Sequence, residues 1–192
     1  MVLVFKSILV ALVGVALGLA ITFKSVERGV GFEAVHVGPW TGWPKSGARE
    51  ADPYARAARA RSGEIPLGIT EGLAFIAGQD SAGAPLNSRC DAVLAGATPP
   101  ARFWTLTATT PDGRFFDSPA NRREFTSSEV VRDATGAFSV DIAAAARPGN
   151  WLPVAPNQAF QLVFRLYDTP ASASAFTLEA AQMPTIARGR CA

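Results

Sequence analysis

Two hydrophobic patterns divide the chain: a long uninterrupted apolar run near the N-terminus and short alternating runs after residue 67. The first run, residues 7–23, contains no charged residue and as a helix is long enough to cross the hydrocarbon core of a bilayer. A cleavable signal peptide with a cleavage site at Gly18-Leu19-Ala20 is the alternative interpretation. Because the apolar run continues beyond that site to Phe23 and ends at Lys24, the pattern favours a retained transmembrane helix.

The segment after this helix, residues 24–51, is rich in glycine and proline and shows neither the helical nor the strand period. It therefore predicts a linker or extended arm. Trp40 and Trp43 within it fit two interpretations, an aromatic belt at the membrane surface or a contact between the arm and the following domain.

A short helix is predicted over residues 53–61, because Asp52-Pro53 supplies an acidic N-cap followed by proline at the first helical position. Its last turns carry Arg56, Arg59 and Arg61. This placement suits the helix dipole and favours a solvated basic face over a patch for anionic lipid or ligand.

Residues 67–192 are predicted to form a mainly β domain, since short runs of period two alternate there with turn signals. In the run 160–167, Phe160, Leu162, Phe164 and Leu166 share one face, which predicts a central strand. The pattern as a whole predicts an antiparallel β-sandwich of jelly-roll type, with an edge strand near the C-terminus. The predicted strands cover residues 72–77, 89–94, 103–109, 114–116, 130–132, 137–142, 160–167 and 185–188.

The composition agrees with one exported domain on a membrane anchor. A chain of 192 residues accommodates one ordinary domain and an appendage. Its mean hydropathy of +0.17 indicates a lipid-embedded part, and its net charge of only +2 argues against a nucleic-acid partner.

Cys90 and Cys191 are the only cysteines and lie too far apart for a metal or dithiol motif. They predict one structural disulfide in an exported domain, with two free buried thiols as the alternative. This places residues 1–6 in the cytoplasm, the anchor 7–23 in the inner membrane as a single pass, and residues 52–192 in the periplasm of a Gram-negative cell.

Five motifs in the second half of the chain resemble, in order and spacing, the bacterial family called domain of unknown function 1214. The resemblance covers residue 67 to the C-terminus, and Gly38-Pro39-Trp40 and Asp52-Pro53-Tyr54 upstream resemble its short, membrane-anchored branch. It implies a β-sandwich and an exported location, and it brings no established activity or catalytic residues. The five motifs are Ala101-Arg102-Phe103-Trp104-Thr105-Leu106, Asp112-Gly113, Ser118-Pro119-Ala120-Asn121-Arg122, Gly149-Asn150-Trp151-Leu152-Pro153 and Phe164-Arg165-Leu166-Tyr167.

Catalytic chemistry has few candidate groups. His36 is the only histidine, so a histidine-dependent triad or metal site would have to use it from within the arm. Scattered carboxylates such as Asp112 and Asp133 leave a calcium site open, although their turn positions favour hydrogen bonds to their own backbone. We therefore predict no metal and no cofactor.

The candidate binding residues fall into two groups. Asn150 and Trp151 lie in a predicted loop, where Trp151 is either a platform for a sugar or lipid group or a plug at the end of the core. One interpretation is that Arg102, Arg122, Arg123 and Arg165 hold an anionic ligand together, and the other is that Arg102 and Arg165 form ion pairs with Asp168 or Asp117.

Two functions remain open at this point. The first is a non-catalytic binding module, held at the membrane by residues 7–23, for a protein, glycan or lipid. The alternative is an exported hydrolase-like enzyme that uses carboxylate and arginine chemistry. The absence of a usable histidine, cysteine or serine motif favours the binding module. The sequence does not predict the oligomeric state.

Overall fold

The N-terminal apolar run forms one helix, α1 (Val2–Arg28), which is longer at both ends than the predicted span. The computed structural model describes residues 2–28, 34–62, 65–68, 70–118, 120–172 and 175–191. Val2–Val26 is long and apolar enough to cross a membrane, and its most apolar window is 0% buried against the rest of the chain. A membrane span and a signal sequence share these properties, so the helix fits both interpretations.

The second helix, α2 (Pro53–Ser62), confirms the predicted short helix. Asp52 is its N-cap, because Asp52 Oδ1 accepts hydrogen bonds from the backbone N–H groups of Tyr54 at 2.8 Å and Ala55 at 3.2 Å. Gly63, at the predicted stop after the helix, lies outside the described residues.

Two β-sheets follow, and together they confirm the mainly β, sandwich-like fold. Six strands are hydrogen-bonded in the order β1-β2-β3-β9-β5-β6 and four in the order β10-β4-β7-β8. Every pairing is antiparallel except that of β7 with β8, which is parallel and was not predicted. The strands are β1 (Val35–Val37), β2 (Trp40–Gly42), β3 (Gly72–Ala77), β4 (Cys90–Ala95), β5 (Phe103–Thr109), β6 (Glu124–Thr126), β7 (Ser139–Ala143), β8 (Trp151–Pro153), β9 (Gln161–Tyr167) and β10 (Thr185–Cys191).

The core lies between the two sheets and receives apolar side chains from both. Strand β9 lies between β3 and β5, as its alternation predicted. Leu162, Phe164 and Leu166 are each 0% exposed on its core face. The opposite face of β9 points away from the smaller sheet, and on it Val163 is buried whereas Arg165 and Tyr167 are half-buried.

The predicted linker is wrong for residues 35–42, which form the hairpin of β1 and β2 and extend the larger sheet. Trp40 is 0% exposed and its Nε1 donates to the Pro184 carbonyl at 2.8 Å, so this part of the arm belongs to the sandwich. Gly42 permits the close approach of β2 to the Phe75 ring on β3, because a Cβ at position 42 would lie 2.7 Å from that ring. Residues 29–33 of the predicted linker lie outside the described residues.

The strands predicted at 114–116 and 130–132 are also wrong. Phe115 forms only an isolated bridge with Thr109. The turn after residue 132 is built by Asp133, whose Oδ1 accepts from the N–H groups of Thr135 at 2.8 Å and Ala137 at 3.0 Å. Strand β7 then pairs with β4 and β8 instead of with the segment before the turn.

The predicted disulfide is present, and it joins Cys90 to Cys191. These residues are register partners on β4 and β10, and β10 is an edge strand of the smaller sheet. The C-terminal strand is therefore tied to the sandwich both by its backbone ladder and by a covalent bond.

Candidate functional site

Asn150 is built into the smaller sheet as a structural side chain and is only 7% exposed. Its Oδ1 accepts from the Val131 N–H at 2.8 Å, and its Nδ2 donates to the carbonyls of Val131 and Ser139 at 2.8 Å each. The amide thus satisfies three backbone groups on two neighbouring segments. Since its polar atoms are occupied internally, Asn150 is not available to a ligand.

Trp151 is the first residue of β8, where sequence reasoning placed a loop. Its side chain is half-buried, and its Nε1 donates to the Ala143 carbonyl at 3.0 Å. The Trp151 ring therefore matches neither interpretation completely, since it neither fills the core nor forms a free platform. Its hydrogen bond fixes β8 beside the end of β7.

Arg102 and Arg122 are not brought together. Arg102 directly precedes β5, whereas Arg122 precedes β6, whose Glu124 pairs with Thr107 near the other end of β5. Six or seven residues of strand separate the two positions, which is about 20 Å. The Arg122 guanidinium lies 4.4 Å from the ring centroid of Phe125, so it is used for a contact within the fold.

Arg165 and Arg102 lie at the same end of the β5–β9 ladder, at one corner of the larger sheet, with Arg165 opposite a position three residues beyond Arg102. Arg165 pairs with Thr105, and two residues further Tyr167 pairs with Phe103. Strand alternation places Phe103, Arg165 and Tyr167 on the outer face, opposite the buried Leu166. We call Arg102, Phe103, Arg165, Tyr167 and Asp168 the β5–β9 corner.

The β5–β9 corner combines an aromatic pair with charged groups. The rings of Phe103 and Tyr167 are tilted at 45° with centroids 5.9 Å apart, and both side chains are half-buried. Arg102 lies 3.7 Å from the Asp168 carboxylate, and both side chains are largely exposed, so this ion pair contributes little to stability. It matches one of the two pairings that the sequence left open.

The backbone of the corner is tightly held. Asp168 has a φ of 48°, a left-handed conformation that aspartate tolerates better than most residues. Its N–H donates to the Glu71 carbonyl at 2.9 Å, and its carbonyl accepts from the Arg102 N–H at 3.2 Å. Gly72 pairs with Tyr167, so the neighbouring strand places no side chain beside the tyrosine ring.

Sequence reasoning missed Phe103 and Tyr167 as site residues because it treated both as ordinary strand positions. Their aromatic character and odd-numbered alternation with the core positions were visible. Their pairing depends on the register of two strands about 60 residues apart, and no local pattern determines that register.

Asp112 and Asp133 use their carboxylates for hydrogen bonds within their own turns. A hydrogen bond from the Thr110 side chain, assisted by Arg114 at 2.6 Å, holds the pKa of Asp112 below its usual value. Hydrogen bonds from the side chain and backbone of Thr135 lower the pKa of Asp133 in the same way. A general acid needs a raised pKa. The pKa values of Asp112 and Asp133 are shifted in the opposite direction.

The described residues also give no support for a metal site or a histidine-dependent site. In the part of the chain that the structure describes, no group of three or more His, Cys, Asp or Glu side chains is placed to hold a metal ion. His36 lies exposed on β1, with its Nδ1 3.0 Å from Thr41 Oγ1. Thr41 is its register partner on the neighbouring strand β2, so this contact belongs to the hairpin.

Comparison with known proteins identifies relatives of uncharacterised function. The family model described as protein of unknown function (DUF1214) matches residues 71–171. No curated protein matches the chain.

Two solved structures are similar in fold. The VPA0106 protein from Vibrio parahaemolyticus has a TM-score of 0.58 and 24% identity, over 73% of this chain and 36% of that one. An uncharacterised protein from Burkholderia cenocepacia has a TM-score of 0.43 and 14% identity, over 88% of this chain and 49% of that one. The chain thus spans about a third of the first structure's length and half of the second's. The first likeness supports the fold and carries no function.

Proposed function

This chain belongs to the DUF1214 family, and we propose that its β-sandwich is an extracytoplasmic binding module that α1 holds at the membrane. The observation that carries the proposal is that one chain combines two different parts. One is an apolar helix, Val2–Val26, that the rest of the chain does not bury; the other is a sandwich closed by a disulfide. A helix of this kind needs a lipid environment, and the disulfide needs an oxidising one.

The disulfide supports the proposed orientation. Thiols stay reduced in the cytoplasm, so the sandwich that contains Cys90 and Cys191 belongs outside it. A retained α1 then crosses the inner membrane once with its N-terminus in the cytoplasm. In a Gram-negative cell the sandwich lies in the periplasm.

The β5–β9 corner is the proposed binding surface. Tyrosine and arginine are enriched at binding hot spots, because a flat ring and a planar guanidinium each offer a large contact area with a polar edge. Arg165 and Tyr167 supply this pair on a rigid central strand, and Phe103 extends the aromatic surface. The partner is an unidentified protein, glycan or lipid, with no nucleic acid expected.

The hydrolase-like alternative receives no specific support from the described residues. It requires a pair of carboxyl groups in different environments, one of them with a raised pKa. Asp112 and Asp133 have lowered pKa values and lie in separate turns. We therefore propose a binding function alone.

The anchor is tested in the cell that produces the protein. The mature chain should remain in the membrane pellet after alkaline carbonate extraction, and sequencing should find residues 7–23 still attached. A mature N-terminus near Ile21, together with release of the chain into the periplasmic fraction, would show that α1 is a signal sequence.

The binding surface is tested by photo-crosslinking from position 167 in intact membranes. A crosslinker there should give a discrete adduct, and Arg165→Gln should weaken that adduct at least tenfold, as expected for a hot-spot residue. Arg89→Gln, an exposed charge change in the turn that precedes β4, is the matched control and should leave the adduct unchanged. A crosslinker at the exposed Val131 should give no such adduct. Equal adducts at positions 131 and 167 would contradict the proposal.

A further inference from the structure

The short helix α2 lies against the end of α1 that leaves the bilayer. The two helices are in contact. Within α1, residues 2–24 are exposed, whereas Ser25 and Val26 are half-buried, so the contact involves the C-terminal end of the apolar run. The headgroup region on each side of a bilayer is only about 5–8 Å deep, and a helix with its side chains is about 10 Å across. A helix packed against this end of α1 is therefore at the membrane surface.

The surface that α2 brings to this position is basic. Among the α2 side chains that the structure describes, Arg56 and Arg59 are charged and none is acidic. The Arg56 guanidinium donates to the backbone carbonyl of Arg49, a neutral acceptor that orients the side chain without cancelling its charge. Lys24 adds a further exposed positive charge at the end of α1.

A shallow, open groove of about 410 Å³ lies beside α2. Arg56 and Arg59 supply its cationic part, and small residues such as Ser46 and Ala60 line the rest. Two large side chains are exposed here: Tyr54, in the first turn of α2, is 41% exposed, and Ile65, three residues beyond its end, is 89% exposed. Basic residues beside exposed apolar ones are typical of helices that lie in a membrane interface.

We propose that α2 rests on the outer surface of the membrane that α1 spans, and that its groove binds the phosphate-bearing headgroup of an anionic phospholipid. Arginine binds phosphate oxygens through two parallel N–H groups, and each basic residue near an anionic surface strengthens attachment. The inference rests on the proposed function, because it requires that α1 is retained as an anchor. It replaces the solvated basic face that the sequence favoured, and it would fix the sandwich at a constant height and orientation above the bilayer.

The test uses the full chain in nanodiscs of stated composition, with amide hydrogen exchange of residues 53–62 as the readout. A ten-residue helix is marginally stable alone, so its exchange reports directly on docking. We expect exchange about tenfold slower in equal parts phosphatidylglycerol and phosphatidylcholine than in phosphatidylcholine alone. The double variant Arg56→Gln with Arg59→Gln should abolish this difference. Arg89→Gln with Arg190→Gln, an equal charge change beside the disulfide, should preserve it.

Three outcomes would overturn the inference. They are equal exchange in the two lipid compositions, loss of the difference in the Arg89 and Arg190 control, and equal slowing by inorganic phosphate with phosphatidylcholine alone, which would indicate a free-anion site. Each of these leaves the anchor intact if the chain stays carbonate-resistant. Failure of the anchor is separately visible as a chain that lacks residues 7–23. Hydrogen exchange of β9 should be identical in every variant, which separates a docking effect from misfolding.

Discussion

Replacement of Trp40 by alanine is expected to lower the free energy of unfolding of the sandwich by about 3–5 kcal/mol. The indole is fully buried, its ring centroid lies 5.7 Å from that of Phe164, and its Nε1 donates to the Pro184 carbonyl at 2.8 Å. The substitution removes a large part of the core and also leaves a carbonyl without its donor. The loss would show that the arm is part of the cooperatively folded unit.

The measurement is urea denaturation of the full chain in detergent, followed by tryptophan fluorescence. All four tryptophans lie outside α1, so the signal does not come from the membrane helix, and Trp104 remains as a reporter in the variant. Trp43→Ala is the matched control on the same arm, and because Trp43 is only half-buried its loss should cost clearly less. Equal destabilisation by the two variants, or a loss below about 1 kcal/mol for Trp40, would mean that the arm does not contribute to the core as the structure indicates.

The strands that sequence reasoning predicted correctly are those with several alternating positions. In β9, three core-facing residues at a spacing of two are each completely buried. The alternating segment of β5, Phe103–Thr109, was predicted with the same bounds. A period of two is visible only when a strand is long enough to repeat it, and these strands have seven residues each.

The strands that were missed are three residues long. For β1, β2, β6 and β8, one or two alternations cannot be distinguished from a loop. The hairpin predicted around Asp133 failed for a non-local reason. Asn150 takes both the N–H and the carbonyl of Val131, so that segment bonds to a side chain 19 residues away instead of to β7. No local pattern contains that information.

For the candidate site too, only local features could be predicted from the sequence. Arginine and aromatic residues could be selected from the sequence as binding types, but their grouping depends on strand register. Register places Arg165 and Arg102 at the same end of the β5–β9 ladder, whereas Arg122 lies near the opposite end of β5. The burial of Asn150 depends on backbone groups from a separate segment. The types of residue in the site were therefore predictable from the sequence, but which of them lie together in the fold was not.

Removal of the disulfide by the double substitution Cys90→Ser and Cys191→Ser is expected to lower the free energy of unfolding by about 3–4 kcal/mol. The cysteines are separated by 101 positions, and closing a loop of that length restricts the unfolded chain by up to about 4–5 kcal/mol in the chain-entropy description. Strain and residual structure reduce that value, so the expected loss lies below it. The native fold should persist, because Ile186 of β10 remains 1% exposed in the core and β10 pairs with β4 along most of its length.

The effect should first be visible at the end of β10. The ladder shifts in register between Arg188 and Cys191, so without the covalent bond the final residues have only weak pairing to hold them. Hydrogen exchange at positions 189–191 should therefore accelerate, while exchange in the middle of β9 changes only with global stability. The wild-type chain with reductant should reproduce the melt of the double variant, and the variant itself should not respond to reductant. If reduction leaves the wild-type melt unchanged, the covalent link contributes no stability and β10 is held by its ladder and by Ile186 alone.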